Sequence, residues 1–151
     1  MDPFEEEVRR TLAGAHDREV KAERIAQALR ETGGYRWVGL YEVGDREISV
    51  TGWSGPGPPE HPRFPASEGL CGSAVAQRAT VVVGDVSADP RYLTTLGSTR
   101  SEMVVPVFGP GGERVIGLID VESQHKDAFS DGDRGLLERC ALQMARLWDE
   151  R

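Results

Sequence analysis

The hydrophobic period changes along this chain, and that change does most to limit what it can fold into. Near both ends, apolar residues return every three or four positions. In the middle they form short runs bounded by turn residues. Phe4, Val8 and Leu12 recur every four positions, and Val20, Ile25 and Leu29 continue the stripe, so residues 4–31 read as helix. Gly14 and Asp17 mark a break within it, and Gly33-Gly34 ends it. At the far end, Ser130 reads as a cap, with Asp131 and Asp133 placed to complement the helix dipole. Leu137, Cys140, Ala141, Met144 and Trp148 then mark one buried face. Between the helical ends, strands are expected near 36–43, 47–53, 80–83, 102–109 and 113–122. Gly109-Pro110-Gly111-Gly112 supplies a turn between the last two. Residues 67–78 read as a helix of small side chains, able to approach a sheet closely. The Pro/Gly-rich stretch 54–66 reads as a loop, and a loop this long in a compact domain is often functional, while residues 85–100 are turn-rich and polar, with Asp89-Pro90 as a breaker.

This order predicts an α+β domain with an antiparallel sheet. A length of 151 residues favours one domain over 1–151, with a helical extension over 1–16. No apolar run approaches the ~18 residues of a membrane helix. The acidic start Met1-Asp2-Pro3-Phe4-Glu5-Glu6-Glu7 lacks a signal core, so a cytoplasmic protein without a membrane partner is expected. A net charge of −7 disfavours nucleic acid. Cys71 and Cys140 lie in different helical segments with no pairing motif, and His16, His61 and His125 are isolated. No H-x-x-x-H or C-x-x-C spacing occurs, so neither a metal nor a cofactor is expected.

Several residues carry both a functional and a plain reading. Asp120 and Glu122 share strand parity with Ile116 and Leu118, so both carboxylates point to one face. They could hold a cationic group, or they could be solvated at a strand end. Trp37 and Tyr41 share a face and could form a pocket wall or ordinary core. Cys71 near a helix start could be a redox thiol or a small packing residue. His61 is a ligand contact or a solvated loop residue, and Cys140 reads as core.

The order of elements and six local motifs resemble the GAF family, over about Ile25 to Trp148. The motifs are Trp37-Val38-Gly39-Leu40-Tyr41, Glu68-Gly69-Leu70-Cys71-Gly72, Val83-Gly84-Asp85-Val86, Ser101-Glu102-Met103-Val104-Val105-Pro106-Val107, Val115-Ile116-Gly117-Leu118-Ile119-Asp120-Val121 and Phe129-Ser130-Asp131-Gly132-Asp133. Within the family, the free methionine-(R)-sulfoxide reductase branch is most similar. The resemblance implies terminal helices on one face of the sheet and a covered pocket on the other. It implies an aromatic wall at Trp37 and Tyr41, and carboxylates at Glu102, Asp120 and Glu122, the last normally aspartate in that branch. It also implies a nucleophilic cysteine at about Thr95 and a second one near His61. The chain has no cysteine between Val75 and Leu136, and only Cys71 remains near the implied pocket. A sulfoxide reductase needs an attacking thiolate and a resolving thiol. Bilin-binding GAF domains carry a Cys-His pair, whereas Cys71 precedes Gly72. The cyclic-nucleotide pattern survives only as an echo in Lys126, Phe129 and Asp133.

Three readings follow. In the first, the chain is a stand-alone small-molecule-binding or regulatory module for an amino-acid-like ligand carrying an amine. Trp37, Tyr41, His61, Cys71, Thr95, Glu102, Asp120 and Glu122 would surround that ligand, and N–H groups of Gly69 to Gly72 would take its carboxylate. In the second, it is a divergent reductase working through Cys71 and an external thiol. In the third, it is a ligand-free module that pairs as a homodimer through the Phe4–Val8–Leu12 stripe.

Overall fold

The computed structural model describes residues 2–149, leaving Met1, Glu150 and Arg151 of the expected domain outside the described part. Two helices open the chain, α1 (Pro3–Ala13) and α2 (Arg18–Gly33). Asp2 caps α1 by accepting from the backbone N–H of Phe4 at 2.7 Å and of Glu5 at 3.0 Å. Gly34, at φ 71°, closes α2 in the left-handed conformation that glycine adopts without strain.

Strands β1 (Trp37–Val43), β2 (Glu47–Ser54) and β3 (Arg63–Pro65) come next, then α3 (Gly69–Gln77) and β4 (Val81–Val83). Strands β5 (Ser101–Phe108) and β6 (Val115–Ser123) and helices α4 (Asp131–Ala141) and α5 (Ala145–Trp148) complete the fold. The strands form one antiparallel sheet in the order β3-β2-β1-β6-β5-β4. The α+β reading with an antiparallel sheet therefore holds. Helices α1, α2, α4 and α5 contribute to one apolar core, and α3 to a second core on the opposite face.

Four local expectations are corrected. The stretch 54–66 is not loop throughout, because Arg63–Pro65 adds to the sheet beside β2. The final helix is interrupted after Ala141, leaving Leu142 exposed and restarting at Ala145 so that Trp148 can reach β2. The indole of Trp148 donates to Thr51 Oγ1 at 3.0 Å. Ile116 does not share a face with Asp120. A register shift between Val107 and Phe108 turns Ile116 to the helix-side core, whereas Leu118 lies in the α3-side core. Finally, Phe4, Val8 and Leu12 are buried inside the chain, in the core that α2 and α4 share. Arg139 Nε lies 3.0 Å from Glu5 Oε1 across that junction. The stripe is used up intramolecularly, so pairing of two copies would have to use another surface.

Candidate functional site

The three central strands are buried on both faces, and their parity sorts the side chains. Val38, Leu40, Met103, Val105, Ile119 and Val121 join the helix-side core. Trp37, Tyr41, Val104 and Leu118 join the α3-side core. Register places Glu102 opposite Glu122, and Asp120 between Val104 on one side and Gly39 on the other. Three carboxyl groups from two adjacent strands therefore meet on the α3 face.

Gly39 makes room for this arrangement. A Cβ there would fall 2.3 Å from the Trp37 ring and 3.0 Å from the Tyr41 ring. Without one, the two rings close over the strand at a centroid separation of 6.4 Å. The Trp37 indole N–H donates to the Gly57 carbonyl at 3.0 Å, which ties the Pro/Gly-rich loop to the wall. Phe64, from β3, meets Tyr41 edge-on at 5.8 Å. Helix α3 starts at Gly69, with φ 74°, and brings Leu70 and Cys71 over the sheet.

One cavity is lined by Tyr41, His61, Cys71, Thr95, Glu102 and Asp120 together with Phe64, Gly69, Leu70, Leu93 and Thr94. Of the residues singled out from sequence, Trp37 and Glu122 stand beside it rather than on its wall. Trp37 packs on Tyr41, and Glu122 Oε1 accepts from the Thr99 hydroxyl at 2.7 Å. The cavity encloses ≈ 10 Å³, room for about one water. A wide groove of ≈ 930 Å³ lies outside it, lined in part by Arg46, Ser73, Arg91 and Tyr92. Gly69 and Leu93 line both spaces, so these two residues separate the groove from the carboxyls.

The electrostatics of the cavity are unusual. Glu102, Asp120 and Glu122 are all almost fully buried. Glu102 Oε1, Asp120 Oδ1 and Glu122 Oε2 have no hydrogen-bond partner. Burial first, and then their mutual repulsion, hold all three well above the ordinary carboxylate range. Asp120 sits between Glu102 and Glu122 in this repulsion: Glu102 acts on Asp120, and Asp120 acts on Glu122. Burial, followed by the charge of Asp120, also pushes up the Tyr41 hydroxyl and the Cys71 thiol. Cys71 is thus a poor thiolate despite its place at a helix start. Cys140 lies in the core on the other side of the sheet.

Sequence reasoning missed Phe64, Leu93, Thr94 and Thr99. Phe64 sits in a strand too short to show a period. The three others lie in irregular chain, where no spacing rule says which way a side chain points.

The GAF domain model matches residues 17–147. A curated relative, GAF domain-containing protein A of Dictyostelium discoideum, is 30% identical over 138 residues, covering 91% of this chain and 83% of that protein. Among solved structures, free methionine-R-sulfoxide reductase from Neisseria meningitidis in complex with its substrate superposes with a TM-score of 0.84 and 33% identity, covering 96% of this chain and 86% of that one. The type II free methionine-R-sulfoxide reductase from Thermoplasma acidophilum gives a TM-score of 0.78 and 32% identity, over 95% and 94%.

Proposed function

This chain belongs to the GAF domain family, and from that premise we propose that it is a small-molecule-binding module for an amino-acid-like ligand bearing an ammonium group. The observation that carries the reading is the set of three buried carboxyls with unpartnered oxygens. Such a set is costly without a counter-charge, since burial and like charge both disfavour ionisation. An ammonium would relieve that cost through charge-assisted hydrogen bonds of about 1.5–3 kcal/mol each. Tyr41, with Trp37 behind it, offers a ring face or an apolar wall for the rest of the ligand. Gly69, Leu70 and Cys71, the first turn of α3, line the same cavity, and the N–H groups that a helix's first turn leaves without an intrahelical partner suit a carboxylate, whereas Gly72 N–H already donates to the Glu68 carbonyl. A cavity of ≈ 10 Å³ must widen to admit such a ligand, and displacement of Leu93 would join it to the outer groove.

Titration calorimetry with methionine, methionine sulfoxide and a panel of amino acids tests this. Binding tighter than millimolar, weakened in Asp120→Asn and Glu122→Gln, is expected. The reading fails if none of the panel binds, or if both substitutions leave binding unchanged.

A second reading rests on one observation, the presence of Cys71 on the cavity wall of a chain similar to substrate-bound reductases. Sulfoxide reduction consumes two thiols and yields a sulfide, a disulfide and water. Cys71 would supply one thiol and an external reductant the other. The raised Cys71 thiol argues against it. Thioredoxin-dependent reduction of free methionine-(R)-sulfoxide, abolished in Cys71→Ser, would replace the first reading with this one.

A further inference from the structure

The same cavity holds a second constellation that no spacing rule in the sequence reveals. Cys71 Sγ, a Glu102 carboxylate oxygen and an Asp120 carboxylate oxygen all lie within 4.8 Å of one another. They come from α3, β5 and β6, three elements brought together by the sheet and the helix that covers it. All three residues are buried. Glu102 Oε1 and Asp120 Oδ1, both unpartnered, belong to carboxyls that line the cavity. We propose that Cys71, Glu102 and Asp120 form a binding site for one borderline divalent transition-metal ion, of which Zn²⁺ is the type.

Geometry supports the assignment. Bonds of ~2.3 Å to sulfur and ~2.0–2.2 Å to oxygen place the donors of a tetrahedral ion within ~4 Å of one another. Small rotamer adjustments from the present spacing reach that arrangement. The cavity that all three residues line has room for one small occupant. Donor chemistry narrows the ion further. One sulfur and two carboxylates carry three negative charges when deprotonated, of which a divalent ion offsets two. The sulfur selects a borderline ion over Mg²⁺ or Ca²⁺, which take oxygen only. Three protein donors leave an open position, and the rest of the cavity wall offers His61, Tyr41 and Thr95 around it.

The ion and the ligand ammonium of the preceding section would use the same oxygens, so a loaded site binds the amino acid less well. The metal site does not depend on the ligand reading, because it is measured with no amino acid present.

The test is a titration of the chelator-treated full chain with Co²⁺ as a spectroscopic probe. A thiolate-to-cobalt charge-transfer band saturating at one ion per chain, and lost on adding Zn²⁺, is expected. Cys71→Ser should abolish the band, and Cys140→Ser should keep it. Glu102→Gln should weaken binding by about 100-fold or more, beyond what loss of an outer hydrogen-bond partner costs. The wild-type chain alone can overturn the proposal, by binding Co²⁺ with no thiolate band. So can a band that survives Cys71→Ser, or a folded Glu102→Gln chain with unchanged affinity.

Discussion

Strands β1, β5 and β6 present Val38, Leu40, Met103, Val105, Ile119 and Val121 to one side, and Trp37, Tyr41, Glu102, Asp120 and Glu122 to the other. The first side is covered by four helices and is apolar throughout. Asp133, a carboxylate joined to this side through Tyr35, is held below its usual range. Burial pushes it up, but hydrogen bonds from the Ser130 backbone and the Tyr35 and Ser130 hydroxyls outweigh that. Ser130 and Asp133 cap one another, and the Tyr35 hydroxyl donates to Asp133 at 2.7 Å. The second side buries three carboxyls with an oxygen unsatisfied on each. The same strands therefore bury only apolar side chains on one face, and set three carboxyls within the apolar core of the other. Under the proposed reading, that asymmetry reflects a site kept ready for a charge the protein does not itself supply.

Four measurements would break or sharpen this comparison. The largest effect belongs to the helix face. Ile119→Ala, at a fully buried position, should cost about 2–5 kcal/mol in chemical denaturation. A loss well below 1 kcal/mol would mean that this face is not the main source of stability. Next comes Gly39→Ala, whose new Cβ would meet the Trp37 ring. It should cost about 1–3 kcal/mol through overpacking and displace the aromatic wall. Unchanged stability and tryptophan fluorescence would count against the role given to Gly39.

The third measurement removes charge from the cavity. Asp120→Asn with Glu122→Gln should raise the stability of the metal-free, ligand-free chain at pH 7 by about 0.5–2 kcal/mol while weakening ligand binding. A net loss of stability would show that the carboxyls are well solvated or paired after all.

The smallest effect is a pair of opposed pH slopes. The cavity carboxyls have folded pKa values raised above the unfolded ones, so their contribution is fully present below about pH 4 and is lost as pH rises through the folded values. Asp133 has a lowered value, so its contribution is present above about pH 4 and is lost as pH falls through the folded value. Stability curves should flatten on the neutral side in Asp120→Asn with Glu122→Gln, and on the acid side in Asp133→Asn. Parallel curves for all three chains would remove the electrostatic contrast between the faces.

Much of this was legible in the residues. Strand parity put Trp37 with Tyr41, and Asp120 with Glu122, and the structure keeps both pairs on one face because β1 and β6 run without interruption through them. Parity failed at Ile116, where the register shift inserts a residue and reverses the facing of what precedes it. Periodicity found the buried stripe of α1 but not its partner, since amphipathic spacing states that a face is covered and not by what. Phe4, Val8 and Leu12 suggested a second copy of the chain, and the chain's own α2 and α4 proved to be the cover. Family motifs located Glu102 beside Asp120, a relation that no local pattern expresses.

By itself the sequence determined most of the helices and strands, though not β3 or the break after Ala141, where most of them end, and which side chains share a face wherever no register shift intervenes. Those properties depend on dihedral preference, capping and a period of 2 or 3.6, all of which act over a few residues. Tertiary structure alone decided that Cys71 stands over Glu102 and Asp120, that Leu93 and Gly69 divide cavity from groove, and that Thr99 reaches Glu122. Each of these joins elements distant along the chain. Their separation is set by how the sheet twists and how closely α3 packs on it, which no local rule encodes.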